Sequence, residues 1–432
     1  MLKLAVIADD LTGANDAGVQ FAKQGLTVQV FLNDLMGKDL GLSPEVMVLD
    51  TDSRAASPAE AVTRVRATGG LIRKMTAVQP MIFKKIDSTL RGNIGAEIDA
   101  AMAEYDLAWA AVVPAFPANG RITVGGWHLL HQTPIAESEI ARDPKTPIHE
   151  SVAPKLLSTQ SSHPIAHVDL SDVCRGSDAI IRRIDELRRQ GIRLLSFDAS
   201  TATHLQAIAT AIAAGKEAAL WVGSAGLAET VPAVMGWSKQ YRMIAIKATG
   251  PVLVVAGSVS PVTARQMNRF LAGDKSRLVS VRADCLISNQ NAEIARCIHE
   301  AKSWLALDQD VLVASAMEAD AVASARAQGT KQGMDSREVS ESVADAMGKI
   351  ARDLTVLPLA GIFLTGGDTA VSVCRALGVG SIDILAEVLP GIPLGQLVGG
   401  CCPGLRVVTK AGAFGGDNAI VESVKALRGK GV

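Results

Sequence analysis

The chain has 432 residues, 48% of them hydrophobic, with a mean hydropathy of +0.24. That is too apolar for a disordered chain, because burial on this scale offsets the entropy of ordering, and the length suits two large domains or three smaller ones. Forty-three Lys and Arg balance 44 Asp and Glu for a formal charge of −1, which argues against a dedicated nucleic-acid or membrane-surface binder but leaves room for a local basic pocket. Aromatic residues are only 3%, so the core is built from Ala, Val, Leu and Ile. The six cysteines have no CxxC spacing, which suits a reducing compartment. No stretch reads as a signal peptide or a membrane span, and the expectation is a soluble cytoplasmic enzyme.

In chain order, a short apolar strand at 3–8 is followed by a turn at Gly13 and Asn15 and a helix over 16–24. Strands at 26–32, 46–49, 81–85 and 109–113 alternate with helices from Ser57-Pro58 to about 67 and over 94–102. Residues 119–164 break the rhythm and predict a β-rich insertion or an extended lid. Helices at 178–190 and 203–213 then alternate with strands at 194–198 and 219–223. Residues 237–250 read as a linker. A second region repeats the alternation with strands at 252–256, 278–281, 311–315, 361–365 and 407–409. Its helices fall at 262–271, 291–305, 342–351, 369–376 and 418–427, with a polar loop at 330–341. This predicts an α/β protein of two domains, 1–240 and 241–432, each with a largely parallel or mixed sheet flanked by helices.

Chemistry concentrates after the strands, where open α/β sheets gather ligands. Asp9, Asp10 and Asp16, with Thr12, follow the first strand and suit a polyhydroxy compound or a hydrated Mg²⁺. The alternative is plain capping of a βα turn. Thr51-Asp52-Ser53-Arg54 offers a guanidinium fork for a carboxylate, or ordinary surface ion pairs. The densest run is Lys84-Lys85-Ile86-Asp87-Ser88-Thr89-Leu90-Arg91-Gly92-Asn93. Its cations suit an acidic substrate or a transferring phosphoryl group, and Asp87 suits a hydroxyl proton. It lacks the aromatic interleaving of a nucleic-acid surface.

The second region holds three Gly-containing turns. Gly257-Ser258-Val259-Ser260 opens a helix. Gly366-Gly367-Asp368-Thr369 lets backbone approach a ligand, with Asp368 near a metal or its water and Thr369 capping the helix. Lys410-Ala411-Gly412-Ala413-Phe414-Gly415 is the third. Each alone is a tight turn, but together they suit a nucleotide. GxxxxGK[ST], an early GxGxxG and HExxH are absent, and Ser224 reads as turn chemistry. The seven histidines form no sequence pattern for zinc, and metal ligands stay unassigned.

ADDLTGAND at 8–16, TDSR at 51–54, KKIDSTLRGN at 84–93, the VPAFP run at 113–117 and Gly120-Arg121 together resemble the four-carbon acid sugar kinases. GSVSPVT, TGGDTA and KAGAFG resemble that family's carboxy-terminal signatures, with Lys410-Ala411-Gly412 where many relatives have Lys-Pro-Gly. The resemblance implies an amino-terminal sugar-acid domain, a carboxy-terminal ATP domain and an active site in the interdomain cleft. It implies substrate contacts from Asp9, Asp10, Arg54, Lys84, Lys85, Asp87 and Ser88, and catalytic roles for Asp87, Asp10, Lys84 and Arg91. It implies nucleotide contacts from Ser258, Gly366, Gly367, Asp368, Thr369 and Gly412, with ATP and Mg²⁺ as cofactors. The reaction is then phosphorylation of a tetronate 4-hydroxyl, D-threonate first, with D-erythronate or 3-oxo-tetronate as alternatives. A non-catalytic protein binding ATP and sugar acid is the rival of another class. No nucleic acid or membrane partner is expected, and the apolar composition permits a homodimer.

Overall fold

A computed structural model describes residues 1–32, 44–143, 145–240, 248–258, 260–315, 319–412 and 414–430. These fall into two compact units, 1–32 with 44–240 and 248–430. Of the expected linker, 241–247 lie outside the described residues, as do Val259 and Ala413 of the Gly-containing turns.

The first unit begins β1 (Leu4–Ala8), α1 (Leu11–Ala22), β2 (Val28–Phe31), β3 (Val46–Asp50), α2 (Pro58–Met75), β4 (Met81–Lys85), α3 (Ile94–Tyr105) and β5 (Trp109–Val113). An insertion follows with β6 (Arg121–Val124), β7 (Trp127–Leu130), β8 (Thr133–Pro134) and α4 (Ala153–Gln160). The unit ends with β9 (Ile165–Val168), α5 (Leu170–Val173), α6 (Ser177–Arg189), β10 (Leu194–Phe197), α7 (Ala202–Ala213), β11 (Ala219–Gly223) and α8 (Ala225–Val234). Its sheet runs β2-β3-β1-β4-β11-β5-β10-β9, with every pair parallel. Strands β1, β3 and β5 are buried at every residue, which is why they read as unbroken apolar runs. The insertion forms the antiparallel sheet β6-β7-β8, the β-rich form of the two that the sequence allows.

The second unit contains β12 (Val252–Ala256), α9 (Pro261–Leu271), β13 (Ser276–Ser280), α10 (Ala283–Ser288), α11 (Gln290–Leu305), β14 (Asp310–Ala314), α12 (Ala319–Lys331) and α13 (Ser336–Leu354). It continues with β15 (Gly361–Thr365), α14 (Gly367–Leu377), β16 (Val379–Leu389), β17 (Ile392–Gly399), β18 (Arg406–Lys410) and α15 (Ala419–Leu427). Strands β13-β14-β12-β15-β18 are parallel, and β17 and β16 continue antiparallel, so this sheet is mixed. No described helix is long and apolar enough to cross a membrane.

Several boundaries differ from expectation for local reasons. Gly13 and Asn15 are not a turn: α1 starts at Leu11 because Asp10 caps it, accepting from the Gly13 N–H at 2.8 Å. Helix α2 runs on to Met75 through Gly69 and Gly70 after a capping box of Ser57 and Glu60. The expected loop at 330–341 is mostly helix. Asp335 and Glu338 form a second capping box that starts α13 inside the polar segment. Ser224 is the N-cap of α8, donating to the Ala115 carbonyl and accepting from the Gly226 N–H. The hairpin β16–β17 escaped notice because Gly380, Pro393 and Gly395 interrupt its apolar runs.

Candidate active site

In the first unit, Ala8 pairs with Asp50 on one side and Lys85 on the other, and Lys85 pairs with Gly223. These strands therefore end at one level, and the residues after them leave by the same edge. The chain winds from β1 toward β3 on one flank and β4 on the other, so that edge is a topological switch point, where a crevice forms.

Arg54 organises the crevice. Its Nε and Nη2 donate to Asp9 Oδ2 and Oδ1 at 2.8 and 2.9 Å, and Nη2 also donates to Asp10 Oδ1 at 2.5 Å. A Cβ at Gly13 would lie 2.4 Å from Asp10 Oδ1 and 3.2 Å from Lys85 Nζ, so the missing side chain lets these groups converge over the first turn of α1. Lys85 Nζ donates to the Ile86 carbonyl at 2.9 Å. Asp87 accepts from Arg91 Nε at 2.6 Å and from the Thr89 hydroxyl, and Arg91 Nη1 reaches Asp143 at 2.9 Å. The Ser88 carbonyl faces His128 Nε2 at 2.8 Å, and His128 Nδ1 lies 2.9 Å from the Thr123 hydroxyl, so β6 and β7 brace the Asp87 loop.

Burial and charge set the protonation of these groups. Burial pushes the Asp9 carboxyl up, but Arg54 with Lys84 and Lys85 brings it below the ordinary value. Burial likewise raises Asp87, yet Arg91, Arg54 and the Thr89 hydrogen bond hold it well below. At Asp50, burial, reinforced by the charges of Asp52, Asp10 and Asp9, outweighs the hydrogen bond from the Asp52 N–H and raises the carboxyl well above the ordinary value. Burial lowers His128 to about 4, so it is neutral, and its contacts assign Nε2–H as donor to Ser88 and Nδ1 as acceptor from Thr123.

The structure thus gathers Asp9, Asp10, Arg54, Lys85, Asp87, Ser88 and Arg91 at one edge. Lys84 departs from expectation. It has no exposed surface, and its Nζ is paired with Glu97 at 2.7 Å, whereas Asp10 and Arg91 keep 20% and 23% of their side chains exposed. In this arrangement the Lys84 charge is neutralised inside the unit rather than presented at the edge. Glu97, His128 and Asp143 escaped sequence reasoning, and Thr51 was named only as part of the Arg54 motif. Only Glu97 carried a signal, as a carboxylate on the buried face of α3 with Ile94, Ile98 and Ala101.

The second unit uses the same edge with different chemistry. Ala256 pairs with Thr365, and Thr365 with Lys410, so Gly257, Gly366 and Ala411 leave the sheet together. Gly366 has φ +101°, a conformation that favours glycine, and it forms the N-cap of α14. Thr369 is therefore not the cap but lies buried in the first turn with Gly367 and Asp368, and a side chain at Gly367 would meet open space. Unpaired N–H groups at such a terminus suit phosphate. Ser258 Oγ accepts from the Ser260 N–H at 3.3 Å and from the Thr263 hydroxyl at 3.3 Å. Thr263 Oγ1 also reaches the Gly412 carbonyl at 2.8 Å. Lys410 Nζ donates to the Ala411 and Gly412 carbonyls at 2.8 and 3.0 Å, and burial lowers its pKa to about 7.

Folding also gathers His167, Asp169 and Asp198, whose ligand atoms lie within 4.8 Å of one another. The buried Asp198 carboxylate already accepts from the Gly125, Gly126 and Leu170 N–H groups and pairs with His167 Nε2 at 2.9 Å. That set explains the cluster as a clasp for the insertion.

One unit has acid–guanidinium chemistry at its switch point, which suits a small polar acid, and the other has glycine turns and a helix N-terminus, which suit a phosphate-bearing ligand. Residues 4–231 match the family model described as a sugar-binding N-terminal domain, and 253–420 match that of a nucleotide-binding C-terminal domain. The D-threonate kinase of Salmonella typhimurium is 34% identical over 425 residues, covering 98% of each chain. The D-erythronate kinase of Heliobacterium modesticaldum is 33% identical, covering 99% of this chain and 97% of that one. A crystal structure from Salmonella typhimurium LT2 has a TM-score of 0.83 at 24% identity, covering 99% of this chain and all of that chain (100%), and bears on the fold alone. The chain belongs to the four-carbon acid sugar kinase family, ATP-dependent phosphotransferases acting on small sugar acids.

Proposed function

We propose that this protein transfers the γ-phosphoryl group of ATP to the 4-hydroxyl of D-threonate. D-Erythronate is the next candidate and 3-oxo-tetronate the third. The observation that carries the reading is the Arg54 fork held by Asp9 and Asp10, beside the Asp87–Arg91 pair. Arg54 and Lys85 supply positive charge for the substrate carboxylate, while Asp9, Asp10 and Ser88 offer partners to its hydroxyls. Asp87, kept ionised, accepts the hydrogen bond of the attacking hydroxyl and orients it. Arg91 adds positive charge where the phosphoryl oxygens gather. Ser258, Gly366, Gly367, Asp368, Thr369 and Gly412 receive the nucleotide.

Mg²⁺ favours carboxylate and phosphate oxygens; Asp368, in the first turn of α14, is the residue of the nucleotide unit that would hold it, and the ion would offset phosphate charge during transfer. The hydroxyl oxygen forms the new bond to phosphorus as ADP leaves, and the hydroxyl proton passes to Asp87 or solvent. In-line transfer requires both ligands to be bound at once.

An ADP-release assay across D-threonate, D-erythronate, L-threonate and the 3-oxo acids, with and without Mg²⁺, tests the reading. The expected result is the highest kcat/KM for D-threonate and no turnover without the metal. ADP release no higher than background with every acid would overturn it in favour of a non-catalytic binding protein.

A further inference from the structure

Three loops carry the sugar-acid cluster, and one buried carboxylate contacts two of them directly and the third through Lys84 and Thr51. Glu97 Oε2 lies 2.7 Å from Lys84 Nζ at the end of β4, and Oε1 accepts from the Ser53 hydroxyl at 2.7 Å, in the loop that carries Arg54. The Ser53 and Thr51 hydroxyl oxygens are 2.7 Å apart, and Thr51 Oγ1 lies 2.8 Å from the Ala8 carbonyl, next to Asp9. Lys84 Nζ also donates to the Ile7 and Lys85 carbonyls at 3.3 and 2.9 Å. Thr51, Ser53 and Lys84 are 0% exposed and Glu97 is 1% exposed.

An ion pair without access to water is expensive to desolvate, and an apolar pair of similar volume fills the same space at less cost. Its use here calls for a role that packing does not supply. Such a role is geometric: Asp9, Arg54, Lys85 and Asp87 act together only if the ends of β1, β3 and β4 keep a fixed register, and loops are held there by hydrogen bonds rather than by ladder pairing.

We propose that Glu97 is the positioning residue of the sugar-acid site, setting the mutual register of the Asp9, Arg54 and Asp87 loops through Lys84 and Ser53. The proposal rests on the assignment of those loops to the sugar acid, and it places Lys84 in the same supporting role.

The test compares Glu97→Gln and Ser53→Ala with Glu104→Gln, which removes only the surface pair of Glu104 with Arg73 on the same helix. Ser53→Ala leaves the Lys84–Glu97 pair intact and decides the matter if Glu97→Gln fails to fold. The expected outcome is a rise of about tenfold in KM for the sugar acid in both variants, with KM for ATP within about twofold of wild type and Glu104→Gln unchanged. Amide exchange of the ligand-free protein is expected to quicken together in residues 9–13, 51–56 and 84–91. An unchanged KM for the acid, both KM values rising together, or faster exchange confined to α3 would overturn the proposal. If wild type turns over no tetronate, the functional reading fails, while the exchange measurement still decides the role of Glu97.

Discussion

The two units place their chemistry at the same kind of strand edge but build it from opposite materials. In the first, side-chain charge dominates: Arg54 bonds both Asp9 and Asp10, and Arg91 bonds Asp87 and Asp143. In the second, backbone and hydroxyls dominate around Gly366, Ser258 and Thr263, with one buried cation, Lys410, held by carbonyls. The difference matches the ligands. A small sugar acid presents few atoms and must be recognised by charge and by each hydroxyl. A triphosphate presents many oxygens, which N–H groups can bind without a counter-charge for each.

The largest expected effect follows from removing charge in the first unit. Arg54→Met leaves Asp9 and Asp10 unpaired, and kcat/KM for the sugar acid should fall by about 10²–10³-fold. Calorimetric ATP affinity should stay at the wild-type level; a parallel loss would break the contrast between the units.

Asp87→Asn sharpens the contrast within the first unit. With the ionised acceptor removed, kcat should fall by about 10²-fold while the acid still binds. Turnover close to wild type would remove Asp87 from the mechanism. On the other side, Gly366→Ala forces a Cβ onto a backbone with φ +101°. Strain of this kind should raise KM for ATP by about tenfold, with KM for the acid unchanged.

The smallest effect concerns protons. The folded pKa of Lys410 is about 7, against an ordinary 10.5, so between these values the unfolded chain binds more protons. Stability from this group therefore rises with pH across that window, and denaturant titrations should show the slope in wild type but not in Lys410→Met. Phosphate bound nearby favours the charged amine. ATP binding at about pH 8 should then take up part of a proton, measured by calorimetry in buffers of different ionisation heat. No uptake would place the triphosphate away from Lys410.

Motif order, the alternation of buried strands with helices and the run of polar residues after each strand were legible because they depend on local pattern. Strand β4 and its Lys84-to-Arg91 continuation are an example. The capping boxes at Ser57 and Asp335 were written in the sequence too, yet only the Ser57-Pro58 cap of the first was read, without Glu60, and the second was missed because it lies in a segment polar on every side.

By itself, the order of residues determined that Asp9, Arg54 and Asp87 each follow a strand of one parallel sheet, and that Gly257, Gly366 and Gly412 do the same later in the chain. Tertiary structure alone decided which partner each neighbouring charge meets: Lys84 and Lys85 are adjacent in sequence, yet Lys84 is paired with Glu97 while Lys85 Nζ donates to the Ile86 carbonyl. Successive strand residues point to opposite faces, so adjacent lysines diverge. Whether either meets an acid depends on a helix ten residues further along the chain.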